Sequence, residues 1–152
     1  MCEARTKVRA LGITPEDFDF NVFVVPSGKG LPGTTGSIAN RLSFINASGT
    51  NIPPQTLAHE IGHCLGLQHA NAWVTRERSV IGAGANTDYG NPFDCMGGVA
   101  SFPNNHFGVM AKLRLGWAVE ANAPVVTSNS TIRLIAHDVT PWPAPNVLAL
   151  PA

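Results

Sequence analysis

The segment His59-Glu60-Ile61-Gly62-His63-Cys64-Leu65-Gly66-Leu67-Gln68-His69 concentrates groups that can bind a metal and move a proton. Histidines four apart on a helix sit one above the other, so His59 and His63 can both reach one metal ion. His69 follows six residues after His63, and a helix running on would carry it off that face. Gly66 supplies the break, because glycine accepts a positive φ and can end the helix and turn the chain back. Three neutral imidazoles leave the fourth position of a tetrahedral zinc open to water, which separates a catalytic site from a closed structural one. Glu60 stands beside these ligands without being one. Its carboxylate can take the proton of the zinc-activated water as that water attacks a carbonyl, then pass it to a leaving amine.

These side chains need a helix beneath them. Asn51-Ile52-Pro53-Pro54 prepares one, since proline fits the first turn, where its missing N–H costs nothing. From 55 to about 66 the pattern is helical, with Leu57, Ala58, Ile61 and Leu65 on one face, expected to be core. His59 and His63 fall opposite, with Glu60 beside them. A bare HExxH pattern means little off a helix. Here it lies on an amphipathic one, with the glycine and the third histidine in place.

Elsewhere, Asp19-Phe20-Asn21-Val22-Phe23-Val24-Val25, closed by Pro26-Ser27-Gly28, reads as a buried strand. Residues 28–36 read as a loop, and 37–46 alternate apolar and polar as an edge strand would. An edge strand next to the metal helix can add a peptide as a further antiparallel strand. Residues 70–93 lack periodicity and hold Gly82, Gly84, Gly90 and Pro92, which predicts a long irregular loop that shapes specificity. A tight turn is expected at Asp94-Cys95-Met96-Gly97-Gly98. A helix is expected over 106–115, with Val109 and Leu113 on its apolar side and its stop near Gly116-Trp117. Strand candidates follow at 125–127 and 131–136, before the proline-rich 141–145.

The 152 residues suffice for one domain with a core. A hydrophobic content of 44% with 13% charged residues describes a globular protein. Ten basic and ten acidic residues balance without any basic run, so a nucleic-acid partner has no electrostatic support. No apolar run reaches the roughly 18 residues of a membrane span. Residues 4–11 read as the tail of a helix already under way, and 146–152 stop inside a strand-like stretch, so both ends read as cuts.

His59-Glu60-x-x-His63-x-x-Gly66-x-x-His69, followed by Asp94-Cys95-Met96-Gly97, resembles the signature and Met-turn of the metzincin peptidases. The surroundings resemble their gametolysin (autolysin) family: Phe20 to Pro26, the metal helix, Asp88-Tyr89-Gly90, and His106-Phe107 leading into Leu115-Gly116-Trp117. The likeness covers about residues 4–135, loosely outside the two motifs. It implies an α+β fold, a partial metzincin-like catalytic domain with a mixed sheet, a zinc-binding helix, a Met-turn and a C-terminal helix. By the same likeness, residues 1–120 form this N-terminally truncated domain and 121–152 begin a C-terminal β-rich appendage. The implied activity is zinc-dependent endopeptidase, with one catalytic Zn2+, a protein or peptide substrate, and a secreted or cell-wall location. Met96 would form a hydrophobic floor beneath the metal, and Gly66 would be structural beside it.

Other residues are weaker candidates. Tyr89, the single tyrosine, is the one phenol available to assist the metal or an oxyanion; packing of its loop is the plainer role. His106 and His137 read as surface or supporting residues. Cys64 and Cys95 either pair or stay as buried thiols, and Cys2 lacks the surroundings of a cysteine switch. Asn46-Ala47-Ser48 and Asn129-Ser130-Thr131 fit the glycosylation pattern. Calcium has only Asp88 and Asp94 near a turn to recommend it. The rival from another class is a non-catalytic module that keeps zinc for stability, and a third reading is an inactive fragment of a peptidase.

Overall fold

In the computed structural model, which describes residues 2–26, 34–37, 41–47, 52–77, 79, 82–98 and 106–136, three helices end in the same way. They are α1 (Cys2–Ala10), α2 (Pro54–Cys64) and α3 (Val109–Arg114). After each, a glycine takes a positive φ: Gly12 at 79°, Gly66 at 94° and Gly116 at 72°. The next N–H then folds back onto a carbonyl five residues earlier, Ile13 to Val8, Leu67 to Gly62 and Trp117 to Lys112. This is the Schellman ending, which satisfies carbonyls that a helix otherwise leaves bare.

The chain divides into two units, residues 1–69 and 70–152. The first holds a three-stranded mixed sheet of β1 (Asn21–Pro26), β2 (Thr35–Ser37) and β3 (Leu42–Ala47), in the order β1-β3-β2. β1 runs parallel to β3, with Val22 beside Ser43 and Val24 beside Ile45. β2 runs antiparallel, with Gly36 opposite Ser43. Helix α2 packs on β2 and β3. Ser43, Ile45 and Ala47, on one face of β3, are buried, whereas Val22 and Val24, on the same face of β1, are exposed. The helix therefore covers the β2–β3 half of that face. Ile45 is 1% exposed, and truncating it to alanine is expected to cost about 2–5 kcal/mol.

Two expectations change here. The run at 19–25 is not a fully buried strand: β1 alternates half-buried and exposed residues, because α2 packs mainly on β2 and β3. The stretch 37–46 is not one edge strand. It contains the end of β2 and most of the central β3, turning at Arg41, whose φ is 48°. The edge beside β3 is β2, whose first two residues lie in the stretch expected to be loop.

The second unit contains a β-hairpin, β4 (Ala72–Thr75) paired antiparallel with β5 (Gly84–Thr87), where an irregular loop was expected. Its strands are short and largely exposed, so they lack the apolar alternation that marks a strand in sequence. The turn at 94–98 is present, and α3 is shorter than its expectation at both ends. Val109, Leu113 and Ala118 pack together around it. Among the described residues, 125–127 and 131–136 form no strand; Leu134 makes only an isolated bridge. These residues are mostly exposed, so neither face is buried as a strand in a sheet requires. Residues 137–152 lie outside the described residues. The described fold is a small α+β arrangement with a mixed sheet and three helices. Among its helices, none is long and apolar enough to cross a membrane.

Candidate metal centre

Helix α2 starts on a proline at its first position and has no side-chain cap. Its first turn is closed by the Pro53 carbonyl, which accepts from Thr56 N–H at 3.0 Å and Leu57 N–H at 3.3 Å. One helical turn separates His59 from His63, and their ring centroids lie 4.8 Å apart. Gly66 then reverses the chain. A Cβ at Gly66 would touch nothing within 4 Å, so glycine is needed there for its φ and not for space. The reversal brings the His69 ring to 4.9 Å from that of His63 and 5.5 Å from that of His59.

One ligand nitrogen from each of the three rings lies within 4.8 Å of the others, and together they can hold one metal ion. Their orientation is partly fixed. His63 Nδ1 lies 2.9 Å from the Leu67 carbonyl, which can only accept, so Nδ1 carries the proton and Nε2 keeps its lone pair. Such a bond from the far ring nitrogen is a usual support for a metal-binding histidine. The same Leu67 gives its N–H to the Schellman ending, so helix stop and ring orientation share one residue.

Glu60 is 7% exposed, and its Oε2 has no hydrogen-bond partner. Burial pushes its carboxyl pKa up, and the nearby His69 pulls it partly back. The burial comes from β2. A Cβ at Gly36 would sit 3.0 Å from Glu60 Oε2 and 2.9 Å from His63 Cβ, and would overlap the Glu60 carbonyl. Only glycine lets the strand lie so close. One residue on, the Ser37 main chain donates to the Cys64 sulfur; burial and the Glu60 charge hold that thiol's pKa up.

The helix is therefore turned differently from its expectation. Its buried residues are His59, Glu60, Gly62 and Cys64, while Leu57, Ala58, Ile61 and Leu65 are only partly buried. Periodicity identified the apolar face correctly, but the glycine in β2 allows the polar face to meet the sheet.

No family model, curated protein or solved structure matches this chain. That the three histidines could hold a metal ion thus rests on their own geometry.

The remaining candidates lie in the second unit. Met96 is 1% exposed, and its carbonyl accepts from Ala70 N–H at 2.8 Å, the residue that follows His69. Asp94 holds the turn from within: Oδ1 accepts from Met96 N–H at 2.8 Å and Oδ2 from Gly108 N–H at 3.0 Å. A carboxylate so occupied by main chain offers calcium little. Asp88 is exposed, as is His106, whose carbonyl accepts from Cys95 N–H. Tyr89 is exposed and adopts a φ of 57°. Cys64 and Cys95 are both thiols, not a disulfide. His137 and Ser48, with the sequon it completes, lie outside the described residues. Two residues that the sequence reading passed over, Gly36 and Ser43, border Glu60 or lie opposite its neighbour; only strand register reveals them.

Proposed function

We propose that this chain is a zinc-dependent endopeptidase. The observation that carries the reading is a buried carboxylate, Glu60, with an unpartnered oxygen, set beside three imidazoles that converge on one point. Zinc suits a set of three nitrogen donors and prefers them about 2.0–2.1 Å away. Small side-chain rotations would bring His59, His63 and His69 onto one ion. Bound there, zinc would supply a Lewis acid for a scissile carbonyl and acidify a water.

The chain's own part is proton handling and orientation. Glu60 accepts the proton of the attacking water and returns it to the departing amine. Its raised pKa makes it a stronger base than an exposed glutamate. Gly66 and Leu67 keep His69 and His63 in place. The resemblance to gametolysin-like metzincins supports an extracellular or cell-wall setting and a protein substrate.

The test is direct. Purified chain is expected to carry about one zinc per molecule and to cleave casein in a chelator-sensitive way. Glu60→Ala should keep the zinc and abolish cleavage. Zinc without chelator-sensitive cleavage would instead indicate a zinc-stabilised binding module. A chain that binds no zinc and lacks secondary structure would be an inactive fragment.

A further inference from the structure

The mixed sheet ends on one side at β1, and among the described residues no strand pairs with its outer edge. Successive residues of a strand turn their N–H and C=O groups to opposite sides. Asn21 N–H bonds to the Arg41 carbonyl at 3.0 Å, so Asn21, Phe23 and Val25 address β3. Val22 and Val24 therefore point their main-chain groups outward. Their side chains are 38% and 49% exposed, on the half of the sheet face that α2 leaves uncovered. Edge strands of proteins that stay single are commonly guarded by charge, proline or a bulge. Asn21–Pro26 carries no charged residue, and its one proline stands at the last position, where it removes neither outward valine donor.

The pattern is self-complementary. Set antiparallel to a second copy about a twofold axis through Phe23, Val22 falls opposite Val24 of the second copy, and Val24 opposite its Val22. All of these are outward residues, so each of the two pairs can exchange two N–H···O bonds. Phe23 meets its own copy in the non-bonded position between them. The valines of both copies come onto one face, and no like charges are opposed within the paired segment.

We propose that β1 is the contact through which two copies of this chain join their sheets, antiparallel and centred on Phe23. Such a contact uses the same surface on both copies, so it closes at two. Six residues a side is well under the roughly 20–30 of a stable interface, so the pair is weak and forms at high concentration. The pairing needs neither a metal nor catalysis.

Sedimentation equilibrium of the intact chain from about 1 to about 500 µM tests it, since mass action draws a weak pair together. The mass should rise from monomer toward dimer and stop there. Val24→Pro removes an outward N–H and no bond to β3, which an edge strand tolerates. Through the twofold it takes away one bond of each pair, so the monomer–dimer midpoint should move up roughly tenfold or more. Far-ultraviolet circular dichroism should be unchanged; if that variant unfolds, Val24→Lys gives the same reading. Phe23→Cys, in a Cys2→Ser background that leaves the buried thiols of Cys64 and Cys95, should form a disulfide-linked dimer under mild oxidation. Opposed non-bonded residues have Cα atoms about 4.5 Å apart, within reach of a disulfide. Val24→Cys in the same background should link far less, because the residue opposite it is Val22. A chain still monomeric at the highest concentration, growth beyond two copies, a midpoint unmoved by the folded Val24 variant, or a dimer that Phe23→Cys fails to link would each overturn the proposal.

Discussion

The segment from Pro54 to His69 and the one from Ala70 to Gly108 are held by bonds of different reach. The hydrogen bonds that end α2 and orient His63 join residues three to five apart: Leu65 to Ile61, Gly66 to His63, Leu67 to Gly62, and His63 to Leu67. The later segment has short bonds too, such as Gly97 N–H to the Asp94 carbonyl and Met96 N–H to Asp94 Oδ1. It adds long ones: Ala70 N–H reaches Met96, Asn91 N–H reaches Ala70, Cys95 N–H reaches His106 and Gly108 N–H reaches Asp94. Those long links span eleven to twenty-six residues, and the first segment's helix stop has none like them. Chemistry built on short links depends on the identity of a few side chains. A turn built on long links depends on the unit's staying folded. Substitutions should therefore act on function in the first segment and on stability in the second.

The largest effect is expected from His63→Ala. With one of the three proposed ligands gone, bound metal should fall from about one per molecule to near zero in an elemental assay. The main-chain bonds that end α2 do not need the imidazole, so far-ultraviolet circular dichroism should change little. Wholesale loss of helix would mean that the metal, not the local bonds, holds this segment.

Asp94→Ala is the counterpart in the second unit. It leaves two N–H groups, of Met96 and Gly108, without their acceptor. The expected loss is about 3–6 kcal/mol of stability, from roughly 1.5–3 for each lost bond to a charged acceptor. Metal stoichiometry at low temperature should stay the same. Loss of metal from a chain that is still folded would erase the distinction between the two segments.

The same contrast explains what could be read in the sequence. His59, Glu60, His63, Gly66 and His69 were legible because helical spacing and one positive-φ glycine are short-range features. The stops of α2 and α3 were legible for the same reason. The hairpin β4–β5 was not, since its strands are exposed and carry no apolar alternation. Ser43 read as a polar residue of an edge strand. It is wholly buried because β2 forms the edge and leaves β3 in the centre, and pairing order is a long-range property. Helix α2 was turned wrongly because its apolar stripe says nothing about how closely Gly36 lets a strand approach the other face.

A third test concerns the Cys95 thiol, 1% exposed in the second unit. Burial, with the neighbouring Asp94 charge, pushes its pKa up to about 11 from an ordinary 9.0. The folded chain therefore favours the protonated thiol. This contribution to stability is complete below pH 9, where both states are protonated, and is lost as pH rises from 9 through about 11. Denaturant midpoints measured across that window should fall, and Cys95→Ala should flatten the fall. An unchanged slope in the variant would assign the alkaline loss elsewhere.

Gly66→Ala and Gly12→Ala form a matched pair, because neither added Cβ meets anything within 4 Å and both residues have positive φ. Each should cost about 1–2 kcal/mol from the left-handed backbone alone. Only Gly66→Ala should also weaken metal binding, since the turn it strains delivers His69. Equal metal affinities would show that His69 is placed by something other than this turn.

The smallest effect is expected at Tyr89, and it probes the comparison from the other side. Its φ of 57° carries the left-handed penalty of a non-glycine residue, and its ring is exposed. The bond from Tyr89 N–H to the Asn71 side-chain Oδ1 at 3.1 Å uses only the main chain of Tyr89 and would survive substitution there. Tyr89→Gly removes the penalty of about 1–2 kcal/mol and adds a slightly smaller entropic cost in the unfolded chain. Tm should therefore hold steady or rise slightly, and kcat should not move if the second segment only scaffolds. A fall in kcat of tenfold or more at unchanged Tm would give the phenol a part in the reaction. It would place chemistry in a segment held by long-range bonds, where the division drawn between the two segments allows none.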